Sequence, residues 1–230
     1  MSKNKRIRRR AGGLGWAAIL MAVAVLMSAP SGADPADPAD QPGLPNLPSD
    51  SDLIRPMPVI VPTASAWAPK FPFPYDQTKD KVTDADITAM REMCQWYNAQ
   101  YATLRAQIDR LQFNRIDKTP ATDPFGPNGK DFDYTRDNVQ QQVDIVTTNI
   151  GQAVDFLAPR AQSLTQAQNP FGDHYFAVYE GEAFFKLWEQ LSNVNNGILA
   201  HQPNWFTGPS VQKAKRWGSD IHRSHVCEGA

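Results

Sequence analysis

His222 and His225 stand three residues apart, a spacing that sets both on one helix face and suits a shared metal ion. Zinc needs further ligands, and the nearest, Cys227, has a second cysteine, Cys94, to pair with. The two histidines therefore read as a solvated helix end, where they suit the negative pole of the dipole. Asn128, Asp131 and Asp133 offer oxygen atoms to calcium but do not follow the EF-hand spacing. His174-Tyr175-Phe176, followed by Tyr179, Phe184, Phe185 and Trp188, is a sharper candidate. Haem takes an axial His or Tyr in an apolar, aromatic-lined slot. No Cys-x-x-Cys-His attachment site accompanies that run, and aromatic residues at helical spacing usually fill cores.

Glu180, beside Tyr179 at the edge of an apolar stripe, is one carboxylate placed for acid–base work. Glu182 lies two residues on, on another side of a helix, and Arg105 or Arg136 would serve a merely satisfied Glu180. His174, Tyr175, Tyr179 and Glu180 are thus the ligand-binding candidates. The chain has no Gly-x-Ser-x-Gly elbow, no His-Glu-x-x-His and no dinucleotide-binding glycine pattern. Lys213, Lys215 and Arg216 beside Trp217 offer a cationic, aromatic-flanked face to an anionic partner.

Those residues need elements to hold them. Thr83-Asp84 is an N-cap signal ahead of Ile87, Met90, Cys94, Tyr97, Tyr101, Leu104, Ile108 and Leu111, spaced alternately three and four apart. The spacing predicts one long helix over about 84–115 with a heptad seam. Val139, Val143, Val146, Ile150, Ala153, Leu157 and Leu164 predict a second over about 135–163, which Pro159 should kink or end. Phe176, Tyr179, Ala183, Leu187, Leu191, Val194 and Ile198 mark a third over about 174–199. Val211, Ala214 and Ile221 mark a shorter fourth over about 209–226, with Pro209 suited to its first turn. No segment reads as a convincing strand. The expected fold is all-α: an antiparallel up-down bundle of three long helices and one shorter helix, preceded by a Pro-rich extended arm. Asp123-Pro124-Phe125-Gly126 and Asn169-Pro170-Phe171-Gly172 suit type I turns, with Phe125 and Phe171 plugging the bundle ends.

Two segments of other composition precede the helical domain, 76–230. Residues 1–33 carry Lys3, Lys5, Arg6, Arg8, Arg9 and Arg10, then an apolar run from Leu14 to Met27, then Ser31-Gly32-Ala33. That order predicts a secretory signal peptide cleaved after Ala33, and the apolar run falls short of the ~20 residues of a bilayer span. The Ala33-Asp34-Pro35 ending resembles leaders of exported proteins from mycobacteria and related actinobacteria. The resemblance implies an extracytoplasmic place and no particular activity. Removing 6 of 23 basic residues leaves 17 against 24 acidic ones, a mature net charge of −7. An acidic protein is a poor match for nucleic acid.

Residues 34–75 form the arm. Its eleven prolines between Asp34 and Pro74 oppose both helix and sheet. The first half reads as disordered. The second half carries Val59, Ile60, Val61, Trp67, Phe71 and Phe73, apolar side chains for which a spacer has no use. They are expected to dock on the helical domain in cis or on a partner in trans.

Cys94 and Cys227 are the two cysteines of the chain, and in an exported protein an even pair predicts a disulfide. An up-down bundle brings the start of its first helix beside the end of its fourth, which suits the same bond. The sequence assigns no catalytic residue, no metal and no cofactor. The expected function is that of an exported, non-catalytic interaction or carrier protein of the cell envelope, meeting an envelope protein. Binding of an apolar ligand, lipid or haem, in the bundle core is the alternative. A hydrolase without a recognisable signature comes third.

Overall fold

The computed structural model describes residues 54–112, 115–116, 131–168, 171–202, 205–206 and 208–230. The leader, residues 34–53 and the turn with Phe125 lie outside the described residues. What is described is mostly helical.

Helix α1 (Asp84–Trp96) starts at a reciprocal cap. The Thr83 hydroxyl accepts from the Asp86 N–H at 3.1 Å, and the Asp86 carboxylate accepts from the Thr83 N–H at 2.8 Å. A π-helical turn (Tyr97–Tyr101) joins α1 to α2 (Ala102–Leu111), so the predicted seam runs along one rod. The rod ends at Leu111 rather than near 115. Arg115–Ile116 instead form strand β1, antiparallel to β2 (Asp131–Phe132) with Arg115 opposite Phe132 and Ile116 opposite Asp131. Phe132 is buried against Phe206, ring centroids 4.5 Å apart, and this anchor holds the short pair on the core.

Helix α3 (Val139–Ser163) begins later than the expected 135. Asp133 draws Thr135 into a turn, accepting from its N–H at 3.0 Å and its hydroxyl at 2.6 Å. Pro159 does not end α3, although it cannot donate to the carbonyl four residues back. Burial of Leu157, Ala161 and Leu164 on one side carries the helix a further turn.

The third helix departs further from expectation. α4 (Gly181–Leu199) starts seven residues after His174, because His174–Phe176 form strand β4, antiparallel to β3 (Gln166–Gln168). The absence of strands expected from the sequence is thus corrected twice. Both pairs are two or three residues long, too short to show an alternating pattern. Glu180 caps α4 in the left-handed region at φ 60°, and Gly181 follows where a Cβ would come within 2.9 Å of the Phe176 Cβ. That crowding, with the φ of Glu180, separates strand from helix. Helix α5 (Pro209–Arg223) has Pro209 in its first turn and stops short of the expected 226, giving way to a turn through His225 at φ 55°.

Numbers fall along one helix as they rise along its neighbour. Cys94, Tyr101 and Gln112 of the rod meet Cys227, Ala214 and Phe206. Glu92 and Gln107 meet Arg160 and Asn149 of α3. Met90, Leu104, Ile150, Leu157, Leu187 and Leu191 are fully buried between the helices. Gly218 lets α5 close on the rod, since a Cβ there would lie 1.8 Å from the Tyr101 Oη. Cys94 and Cys227 are disulfide-bonded, their Cα atoms 4.9 Å apart. Phe171 is 91% exposed and plugs no bundle end. Among the described residues no helix is long and apolar enough to cross a membrane.

Candidate interaction site: an amide-lined groove

Residues 55–70 have neither helix nor strand of their own, so their main-chain groups need partners elsewhere. Amide side chains of the helices supply them. Asn149 on α3, 2% exposed, donates to the Arg55 carbonyl and accepts from the Met57 N–H, both at 2.9 Å. Gln107 on α2, 1% exposed, donates to the same carbonyl at 3.0 Å and accepts from Asn149 at 2.7 Å. Gln100 in the π-turn donates to the Pro58 carbonyl. Gln95 on α1 accepts from the Thr63 N–H and donates to the Thr63 carbonyl, both at 2.9 Å. Further on, the Lys70 ammonium reaches the His225 carbonyl at 3.0 Å and the Glu228 carboxylate at 3.2 Å.

The π-turn gives the rod two working faces. Tyr97 and Tyr101 stack with centroids 4.8 Å apart and donate to the Gly218 and Ala214 carbonyls at 2.7 and 3.3 Å. Gln100, between them in sequence, turns to the arm. Ile54 and Met57 are buried, and Ile60 and Trp67 pack against the core edge. Ile54, Met57 and Ile60 recur every third residue, the period of a polyproline helix. Phe71 is half-buried with the Lys79 ammonium 5.9 Å from its ring centroid. Val59, Val61 and Phe73 are instead 73%, 80% and 78% exposed. The six arm residues therefore divide: Ile60 and Trp67 meet the helices, Phe71 is half-buried beside Lys79, and Val59, Val61 and Phe73 face outward.

No short motif marks Gln95, Gln100, Gln107 and Asn149, and sequence reasoning passed over them. Two signals bear on them. Gln100 and Gln107 are one heptad apart beside the seam positions Tyr101 and Ile108, and Ile54, Met57 and Ile60 carry the three-residue repeat.

The other candidates are dispersed. His174 is exposed and Tyr175 half-buried on β4, where Lys81 donates to the Tyr175 hydroxyl at 3.0 Å. Tyr179 lies just before α4, its ring 5.1 Å from that of Tyr75. Burial pushes the Glu180 carboxyl up, a hydrogen bond from Tyr179 opposes this, and the Asp220 and Glu182 carboxylates add to the rise. Burial, then Glu180, also pushes the Tyr75 and Tyr179 hydroxyls up. The arginines expected near Glu180 do not act on it; the Arg105 guanidinium lies 3.7 Å from Asp109, one turn along its own rod. His222 and His225 have ring centroids 6.5 Å apart, and among the described residues no group of three metal-capable side chains assembles. Lys215 turns inward to Asp109 and Gln112, leaving Lys213 and Arg216 exposed on the cationic face.

Where α2, α4 and α5 meet, Tyr101, Leu104, Ile108, Leu191, Val194 and Val211 leave about 10 Å³, the lower limit for one water. A surface concavity of about 220 Å³ lies between α3 and the end of α4, lined by Val143, Asp144, Thr147, Ile198, Leu199 and His201. No family model matches the chain, nor does any curated protein or solved structure.

Proposed function

We propose that this chain is an exported, non-catalytic interaction protein of the cell envelope, released from a signal peptide over residues 1–33. In this reading the helices form an antiparallel up-down bundle that carries the Pro-rich arm, residues 34–75, and presents its outer edge to an envelope protein. One observation carries the proposal. The arm is gripped by its main chain, so Val59, Val61 and Phe73 stand out, three of the five large apolar side chains most exposed among the described residues. A segment kept only to cover helices would turn those side chains inward, where each is worth roughly 1.5–3 kcal/mol. Exposed apolar groups on a fixed frame are what a partner can use.

The disulfide suits an oxidising extracytoplasmic compartment. The alternative, lipid or haem in the core, calls for a cavity of several hundred Å³, and the close filling between α2, α4 and α5 weighs against it. The test is the variant Val59→Ser, Val61→Ser, Phe73→Ser, used as bait against envelope extract of the source cell. Loss of the partner captured by the unaltered chain, with the melting temperature held within about 2 °C, supports presentation by the arm. Undiminished capture of that partner removes the arm from the interaction.

A further inference from the structure

We propose that the partner of the arm is a protein with an aromatic-lined groove, which reads residues 55–61 as a polyproline helix. The inference rests on the proposed function and deepens it by naming the chemistry of the partner. Proline sets most of the conformation. Pro56, Pro58 and Pro62 fix their own φ at about −65°. Each also disfavours the α region for the residue before it, Arg55, Met57 and Val61. Burial follows the three-residue turn that results. Ile54, Met57 and Ile60 face the helices, and the Thr63 main chain is held by Gln95. A helix with three residues per turn has three ridges, so one meets the bundle and two are left. Arg55, Pro58 and Val61 make one outer ridge, Pro56 and Val59 the other, and all five are exposed.

The two outer ridges are apolar except at one end. Arg55 is the sole charged residue between Ile54 and Pro69, and it has no ion pair among the described residues. A fitting groove therefore carries aromatic rings along its length and a carboxylate at the end that meets Arg55. Its tryptophan or tyrosine donors also find acceptors. The Val59 and Val61 carbonyls have no hydrogen-bond partner among the described residues. The seat prepares the ligand. Asn149, Gln107, Gln100 and Gln95 hold the segment extended by its main chain before any partner arrives, so little ordering is left for docking.

The experiment titrates the full, disulfide-bonded chain into ¹⁵N-labelled SH3 and WW domains, whose aromatic grooves take polyproline ligands. The indole N–H signal of the groove tryptophan should shift saturably in at least one of them. Arg55→Glu, Pro58→Ala and Val61→Asp alter side chains of one outer ridge and leave the seat intact. Each should weaken that binding about fivefold or more, as trimming a contact side chain does. Phe73→Ser lies beyond the ridges and should leave the binding unchanged. Absence of a saturable shift with every domain overturns the proposal whether or not the variants fold. So does binding that the ridge variants leave undiminished, since it would use another Pro-rich stretch. Either failure leaves capture of an envelope partner through Val59, Val61 and Phe73 standing, so the two readings fail separately.

Discussion

Asn149 makes three hydrogen bonds with one buried side chain, to Arg55, Met57 and Gln107. Its truncation takes the partner from the Met57 N–H and from the Gln107 side-chain oxygen, while the Arg55 carbonyl keeps Gln107. Asn149→Ala should therefore cost about 2–4 kcal/mol in denaturant unfolding, well beyond an ordinary surface substitution. Two carboxylates should give opposite pH responses. Burial opposes ionisation of Asp86, but hydrogen bonds from Thr165 and Thr83 outweigh it and hold the carboxyl below its ordinary value. Its stabilisation is complete above about pH 4, where the unfolded group also ionises, and is lost as pH falls through its lower folded value. Glu180 is raised, chiefly by burial. Its contribution is complete below about pH 4 and is lost as pH rises through its higher folded value. Glu180→Gln should accordingly raise the melting temperature at pH 8 and lose that advantage at pH 3.5. Equal gains at both pH values would rule out the charge of Glu180 as their cause.

At the scale of elements, the apolar spacings located the four helical segments, because each buries one stripe and a stripe leaves a 3.5-residue period in the sequence. The ends were harder. Thr135, His174 and Arg115 were assigned to helices yet lie in a turn or in strands, and each was displaced by something local that periodicity ignores. An Asp133 side chain, a left-handed Glu180 and an anchored Phe132 did the displacing. The groove was legible only in half. The apolar residues of the arm announced docking, but its grip is made by amides, which look like ordinary surface residues until the extended chain lies over them. If the seat is structural, omitting residues 34–63 should lower the melting temperature by several degrees, read by circular dichroism. Packing of α5 on the rod makes a second demand. Gly218→Ala forces a methyl group into the stacked Tyr101 and should cost about 1–3 kcal/mol.

For the molecule as a whole, the disulfide spans 133 residues and ties the rod to the end of the described chain. Constraint of so long a loop in the unfolded state amounts to at most ~5 kcal/mol in the entropic model. Cys94→Ala, Cys227→Ala should therefore unfold at markedly lower denaturant with an unchanged helical spectrum, and an unaltered midpoint would refute that account. The rod itself touches the arm and α5, meets α3, and carries Cys94 of the disulfide. Its two faces stay in step only through the π-turn, which adds one residue to an otherwise regular spiral. The rod thus behaves like a message written in two reading frames, with residues 84–96 in one and 102–111 in the other. A regular helix turns about 100° per residue, so deleting Ala99, itself exposed and in no bond described above, should shift the second frame against the first. Either the glutamines leave the arm or the tyrosines leave Gly218. Loss of a single unremarkable alanine should then do more damage, measured by melting temperature, than replacing it with any other residue but proline.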